Sequence, residues 1–168
     1  LSGSTIAADS SPSGQFPGTY TGAPTFGLPG IETNSIRLTG PGTPSPLTVG
    51  YYPELNPTSA SGSFSFELWA RPQSNDAVDW RCPIGNFGGW GSPSGWYVYQ
   101  SPGAGSTLTF VMHPANAFIG NFNYELLKWY HIVGTYDGTT AKFYVNGVLR
   151  GFQAIVYGVG YVANAGVP

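Results

Sequence analysis

Apolar and polar residues alternate over several short stretches of the chain. The clearest run is Trp129 to Phe152, WYHIVGTYDGTTAKFYVNGVLRGF. Its period of two predicts three antiparallel strands joined by two tight turns. Asp137-Gly138 and Asn146-Gly147 are dipeptides that tolerate the positive φ of a type I′ hairpin turn. A two-residue turn at Asn146-Gly147 sets Val145 opposite Val148, Tyr144 opposite Leu149 and Phe143 opposite Arg150. Ser63 to Arg71, SFSFELWAR, is a second strand, with Phe64, Phe66, Leu68 and Ala70 on its core face. Glu67, Trp69 and Arg71 share the other face, where Trp69 is either a ligand platform or a residue covered by a neighbouring loop. The expectation is that it is covered, and that Trp96 and Trp129 are buried on their strands.

Gly95 to Gln100 and Ser106 to Met112 read as strands, and SPGAG between them makes a hairpin. Shorter strands are expected over Thr19–Thr21, Ser35–Thr39, Leu47–Gly50 and Pro83–Phe87. Tyr51 to Ala60, holding Pro53 and Pro57, is a loop or one helical turn, and residues 113–128 read as a loop. About seven to nine short strands with frequent turns describe a sandwich or barrel.

Composition agrees: 25 Gly and 15 Pro, spread along the chain, leave no room for long helices. Charged residues are 8% of the 168, against about 25% in an ordinary soluble protein, so solubility rests on Ser, Thr, Asn and backbone. A net charge of −2 with six scattered Lys and Arg offers no basic patch, which sets nucleic acid aside. No apolar run approaches the roughly 20 residues of a membrane-spanning helix. The single cysteine, Cys82, cannot form a disulfide within the chain, and it reads as an ordinary packed residue rather than a catalytic thiol. The low charge and the Ser, Thr and Gly content resemble bacterial extracellular proteins.

SFSFELWARP, GWYVYQ, TLTFVM and WYHIVGTYDGTTAKFYVNGVLRG, in that order, resemble the laminin-G-like or concanavalin A-like jelly-roll domains. The closest likeness is the W-x-H…G-T-Y-D-G…Y-V-N-G-V pattern of Trp129, His131, Gly134 to Gly138 and Tyr144 to Val148. AADSSPSGQFPGTYTG resembles the family's first turn. The resemblance covers essentially the whole chain and implies an all-β fold: an antiparallel jelly-roll β-sandwich of one convex and one concave sheet. Residues 1–168 are expected to form one such domain, trimmed at both ends and excerpted from a larger extracellular or cell-surface protein. Strand edges left open by the trimming would then be filled by further residues or by another chain.

Glycoside hydrolysis needs two carboxylates about 5–9.5 Å apart. The family's glucanases carry them on one strand as E-x-D-x-E. The eight acids here are Asp9, Glu32, Glu54, Glu67, Asp76, Asp79, Glu125 and Asp137, and none makes that spacing. His131 reads as a core histidine, and His113, before Pro114, as an exposed loop residue. Calcium is common in the wider family. Asp9 occupies the acidic position of the opening turn, but Ser13 stands where many relatives have Asn, so Asp9 is read first as an acceptor of backbone hydrogen bonds. Trp80 and Trp90, in the Gly-rich stretch DWRCPIGNFGGWGS, are expected to expose at least one indole. With His113 and Asn116 they are the candidate ligand-binding residues, and Tyr51 and Tyr52 are further aromatic candidates. The expected function is a non-catalytic binding or adhesion module, with glycan as ligand. The alternative is a structural or assembly domain that contacts neighbouring domains or copies of itself, and an enzyme of the same fold comes third.

Overall fold

The structure is a computed structural model that describes residues 5–38, 46–50, 52–55, 62–74, 81–87, 95–101, 106–113 and 115–155. The chain divides into two compact units, Leu1–Leu55 with Ala165–Pro168, and Asn56–Asn164. In the first, β1 (Ile6–Ala7), β2 (Gly18–Tyr20) and β5 (Leu47–Val49) form one antiparallel sheet. Between them in sequence, β3 (Thr25–Pro29) and β4 (Asn34–Arg37) pair as a hairpin. A single 3-10 turn covers Pro53–Leu55, within the stretch expected to hold one turn of helix. Strands β1 and β3 were not expected: each is short or carries Gly and Pro, which mask the alternation.

The second unit is a sandwich of two four-stranded antiparallel sheets. One has the order β13-β12-β11-β6, from β6 (Phe64–Ala70), β11 (Tyr130–Tyr136), β12 (Thr140–Val145) and β13 (Val148–Ala154). The other has the order β10-β9-β8-β7, from β7 (Arg81–Phe87), β8 (Gly95–Gln100), β9 (Thr107–His113) and β10 (Ala117–Asn123). Strict alternation drives the first sheet onto the second. Tyr130, Ile132, Gly134 and Tyr136 of β11 and Ala141, Phe143 and Val145 of β12 are buried, and the residues between them are half-exposed. They meet Trp96, Val98, Leu108, Phe110 and Met112 of the opposing sheet in one core.

At the centre of that core the Phe66 ring stacks on Trp96 at 4.4 Å and 3°, and meets Phe110 edge-on at 5.2 Å. Phe64 adds a second ring against Trp96 at 5.3 Å. Such pairs contribute ~0.5–1.5 kcal/mol beyond the area they bury. Phe66 pairs in register with Gly134, whose missing side chain leaves the space that the ring occupies. A second close approach joins the sheets where β10 passes β13. A side chain on Gly151 would meet the Ile119 carbonyl, and one on Gly120 would meet the Gly151 backbone at 2.9 Å.

The hairpin at Asn146-Gly147 has positive φ at both residues, 53° and 75°, with Val145 opposite Val148 and Tyr144 opposite Leu149 as expected. The third expected pair is not formed. A bulge at Arg150 puts Gly151 opposite Phe143, and the guanidinium lies over the Phe122 ring of β10, 4.7 Å from its centroid. The turn expected at Asp137-Gly138 is displaced by one residue, since the Asp137 N–H donates to the Thr140 carbonyl at 3.2 Å and leaves Gly138-Thr139 at the corners. Only Gly138 has positive φ, and the Asp137 carboxylate accepts the N–H groups of Thr139 and Thr140 at 2.9 and 2.8 Å. Residues 113–128 are not all loop: β10 lies inside them, its alternation broken by Gly120 and a register shift between Phe118 and Gly120. Among the described residues β6, β7, β10 and β13 each pair with one neighbour, so each sheet presents two edge strands.

A Gly134→Ala substitution sets a methyl group against the Phe66 ring and forces the aromatic stack apart. Overpacking of this kind costs ~1–3 kcal/mol. Urea unfolding followed by tryptophan fluorescence is expected to show a loss of that size. Loss of well under ~1 kcal/mol would mean that the ring relaxes freely and does not fix the sheet separation.

Candidate functional site

Because Phe64, Phe66, Leu68 and Ala70 turn inward, β6 turns Ser65, Glu67 and Trp69 to the outer face of its sheet. Trp69 is 51% exposed there, against the expectation that it would be covered. With Leu68 and Ala70 turned inward, alternation leaves the indole no other direction, and β6 is an edge strand of its sheet. In register beside it on β11 is His131, and the two rings stack at 4.9 Å with 25° between their planes. The expectation of a core histidine is therefore corrected: its neighbours Tyr130 and Ile132 take the inward positions, and the imidazole lies half-buried on the outer face. The Glu67 carboxylate stands 3.6 Å from His131 Nε2, ion-pair range when the ring is protonated.

Asn146 fixes this corner. Its side-chain Oδ1 accepts the His131 N–H at 2.9 Å, and its own N–H donates to the His131 carbonyl at 2.8 Å. The hairpin asparagine thus both permits the turn and clamps β11 at the residue that supports Trp69. Arg71 is tied down as well, its Nε donating to the Leu127 carbonyl at 2.8 Å. The arrangement is a pre-formed indole surface with a carboxylate beside it.

In the opposite sheet the two middle strands are covered, while Phe118 on edge strand β10 is 55% exposed. Both faces of β8 and β9 are buried, including Tyr97, Thr109, Val111 and His113 on the side away from the core. His113 is the last residue of strand β9 and is 5% exposed, which corrects the expectation of an exposed loop histidine. The Tyr97 hydroxyl lies 3.4 Å from His113 Nε2 and the rings stack at 5.7 Å. Burial pushes the His113 pKa below its ordinary 6.5 and raises that of Tyr97. The Cys82 Sγ donates to the Ile84 carbonyl at 3.1 Å. Although the residue counts as exposed, burial around the sulfur pushes the thiol up to about 11, which makes it a poor nucleophile.

Of the other candidate residues, Asn116 is exposed in the turn between β9 and β10, with φ of 47°. Tyr52 is half-buried against the Phe16 ring at 4.8 Å. Trp80, Trp90 and Tyr51 lie outside the described residues. Trp96 is buried at 9%, as expected, while Trp129 is half-buried. The structure therefore brings Trp69, His131 and Glu67 together, whereas His113 belongs to the other sheet. Asp9 accepts N–H groups from Ser11 and Phe16 at 2.9 and 3.0 Å and the Ser11 hydroxyl at 2.8 Å, and these bonds lower its pKa. Its oxygens are engaged by its own turn. Among the described residues no three His, Cys, Asp or Glu side chains gather as a metal site.

Residues 48–165 match the profile of the concanavalin A-like lectin/glucanases superfamily. The chain belongs to that superfamily. Comparison with curated proteins and with solved structures found no match. The superfamily unites sugar-binding proteins with sugar-cleaving ones, so membership alone does not separate the two roles.

His113 supplies a pH test. Its folded pKa lies below that of the unfolded chain, so the unfolded state binds more protons in the acid range and the folded state is favoured above pH 6.5. That contribution is lost as the pH falls from 6.5 through the lower folded value. Thermal melts between pH 7.5 and pH 5 (a range bracketing the ordinary histidine value of roughly 6.5) should show stability falling, and the fall should be smaller in a His113→Gln variant. Equal pH slopes in the two proteins would place His113 in contact with solvent.

Proposed function

We propose that this chain is a non-catalytic glycan-binding module that uses Trp69 as its platform. The observation that carries the reading is the exposed indole held in place by His131, with Glu67 beside it. A pyranose ring has an apolar C–H face that packs on an indole and hydroxyl groups at its edge that hydrogen-bond to a carboxylate. Pre-positioning matters because a side chain already immobilised loses little entropy when ligand arrives. Residence at the cell surface or outside the cell goes with this reading and with the low charge of the sequence.

The carboxylates speak against hydrolysis. Glu67 is the one Asp or Glu within the eight strands of the sandwich, and Ser65 and Trp69 flank it on its face. A hydrolase of this fold needs a second carboxylate across the scissile bond. The alternative reading as an assembly module draws on the edge strands and on the exposure of Phe152 and Leu149, 68% and 46%.

A glycan array followed by titration of the bound glycan against the wild type and Trp69→Ala tests the proposal. Binding should weaken by about tenfold or more on loss of the indole, and Trp69→Phe should retain part of it. Unchanged affinity in Trp69→Ala would sink the platform. A concentration-dependent mass in light scattering, with no glycan bound, would favour the assembly module instead.

A further inference from the structure

The outer face around Trp69 holds two more aromatic side chains in line with it. Val133 of β11 pairs with both Glu67 and Tyr144, and Tyr144 pairs with Leu149. The next row is Ser65, Thr135, Lys142 and Phe152. Trp69 and His131 form the row before. Trp69, Tyr144 and Phe152 therefore occupy successive rows while stepping from β6 to β12 to β13. With strands about 4.8 Å apart and a rise of about 3.3 Å per residue, the diagonal spans roughly 12 Å from Trp69 to Tyr144 and about 8 Å more to Phe152. Trp69 and Phe152 are 51% and 68% exposed, and Tyr144 is half-exposed between them.

The two sides of this line differ. Ser65, Glu67, Thr135 and Lys142 lie along one flank with Val133 among them, while His131 and Leu149 lie along the other. The polar flank carries one carboxylate and one ammonium, so it has no excess of either sign to draw a polyanion. It does offer a row of donors and acceptors beside an aromatic track. A neutral polymer that presents apolar patches at intervals, with hydroxyls along one edge, is complementary to it. A β-linked chain of equatorially substituted pyranoses is such a polymer, and the whole track, roughly 20 Å long, is close to two of its disaccharide repeats.

We propose that the ligand is an extended, neutral, β-linked polysaccharide that lies diagonally across the outer face from Trp69 to Phe152. This rests on the reading of Trp69 as a sugar platform and adds the ligand class, its direction and two further contacts. Tyr144 and Phe152 serve the far end of the chain, so they should act on long ligands and leave short ones untouched.

The test is calorimetric titration of the 168-residue chain with β-1,4-linked gluco-oligosaccharides from disaccharide to hexasaccharide. The comparison set is wild type, Trp69→Ala, Phe152→Ala and Phe152→Trp, each with its melting temperature as a folding control. The hexasaccharide should bind about tenfold tighter than the disaccharide. Phe152→Ala should remove most of that gain without changing disaccharide affinity, and Phe152→Trp should retain it. Affinity that is independent of length, lost in Trp69→Ala and insensitive to Phe152, would overturn the diagonal track while leaving the Trp69 platform standing. Preference for charged over neutral glycans of equal length would overturn the ligand class. Absence of binding to every oligosaccharide and glycan tried would remove both proposals.

Discussion

The ring of Phe66 lying in the space left by Gly134 and flat against Trp96 is the contact on which the sandwich depends. It involves both sheets at once. Gly134 gives β11 no side chain, so the β6 ring crosses over its neighbour instead of standing beside it. That brings it within 4.4 Å of an indole from the opposite sheet. A larger residue at 134 would lift the ring, and Phe110, which itself packs against Phe143, would lose its partner. The close passage of Gly120 and Gly151 does similar work at one side of the sandwich, where backbone rather than side chain meets backbone.

Fixing Phe66 inward also decides what faces outward, because side chains on a strand alternate without exception unless a bulge intervenes. Glu67 and Trp69 are exposed as a consequence of Phe66 and Leu68 being buried. The same rule on β11 turns His131 out as it turns Tyr130 and Ile132 in. The candidate site is thus a by-product of core packing to which two refinements were added. One is the Asn146 clamp on the backbone of His131, and the other is the bulge at Arg150. Without that extra residue, every β13 side chain beyond Leu149 would change face, and Phe152 would leave the outer surface.

Much of this was legible in the residues. The strands of the second unit other than β10, the Asn146-Gly147 turn and the family were readable from alternation and motif. The inward and outward sets of β6 were equally plain, yet Trp69 was expected to be covered by a neighbouring loop. Burial depends on what lies across from a face, and period alone carries no such information. His131 was misplaced for the opposite reason: its motif position was given more weight than its alternation. Strand β10 was hidden by Gly120 and the nearby register shift, and the Arg150 bulge has no local signature beyond the glycine that follows it. The fate of Trp80 and Trp90 lies outside the described residues, so the loop-tryptophan platform stays a sequence expectation.

The contrast between the two sheets bears on where ligand chemistry can reside in the second unit. A sheet buried on both faces, as at β8 and β9, reads as near-continuous apolar sequence, and GWYVYQ and TLTFVMH have that character. Their polar members, Gln100, Thr109 and His113, are buried; Gln100 donates to the Tyr124 hydroxyl at 2.6 Å, and His113 lies against Tyr97. Groups already engaged inside the protein have little left to offer a ligand, and withdrawing them would cost the desolvation they avoid. On the other sheet the pattern is mixed, with an aromatic or charged residue at each outward position of β6 beyond Ser65 and at each of β12 beyond Thr140. Such residues exposed together are the costly feature of a surface otherwise poor in charge, since they raise the risk of aggregation without adding to the core. Core packing sets which positions face outward, and the proposed binding role would account for the residue types that fill them.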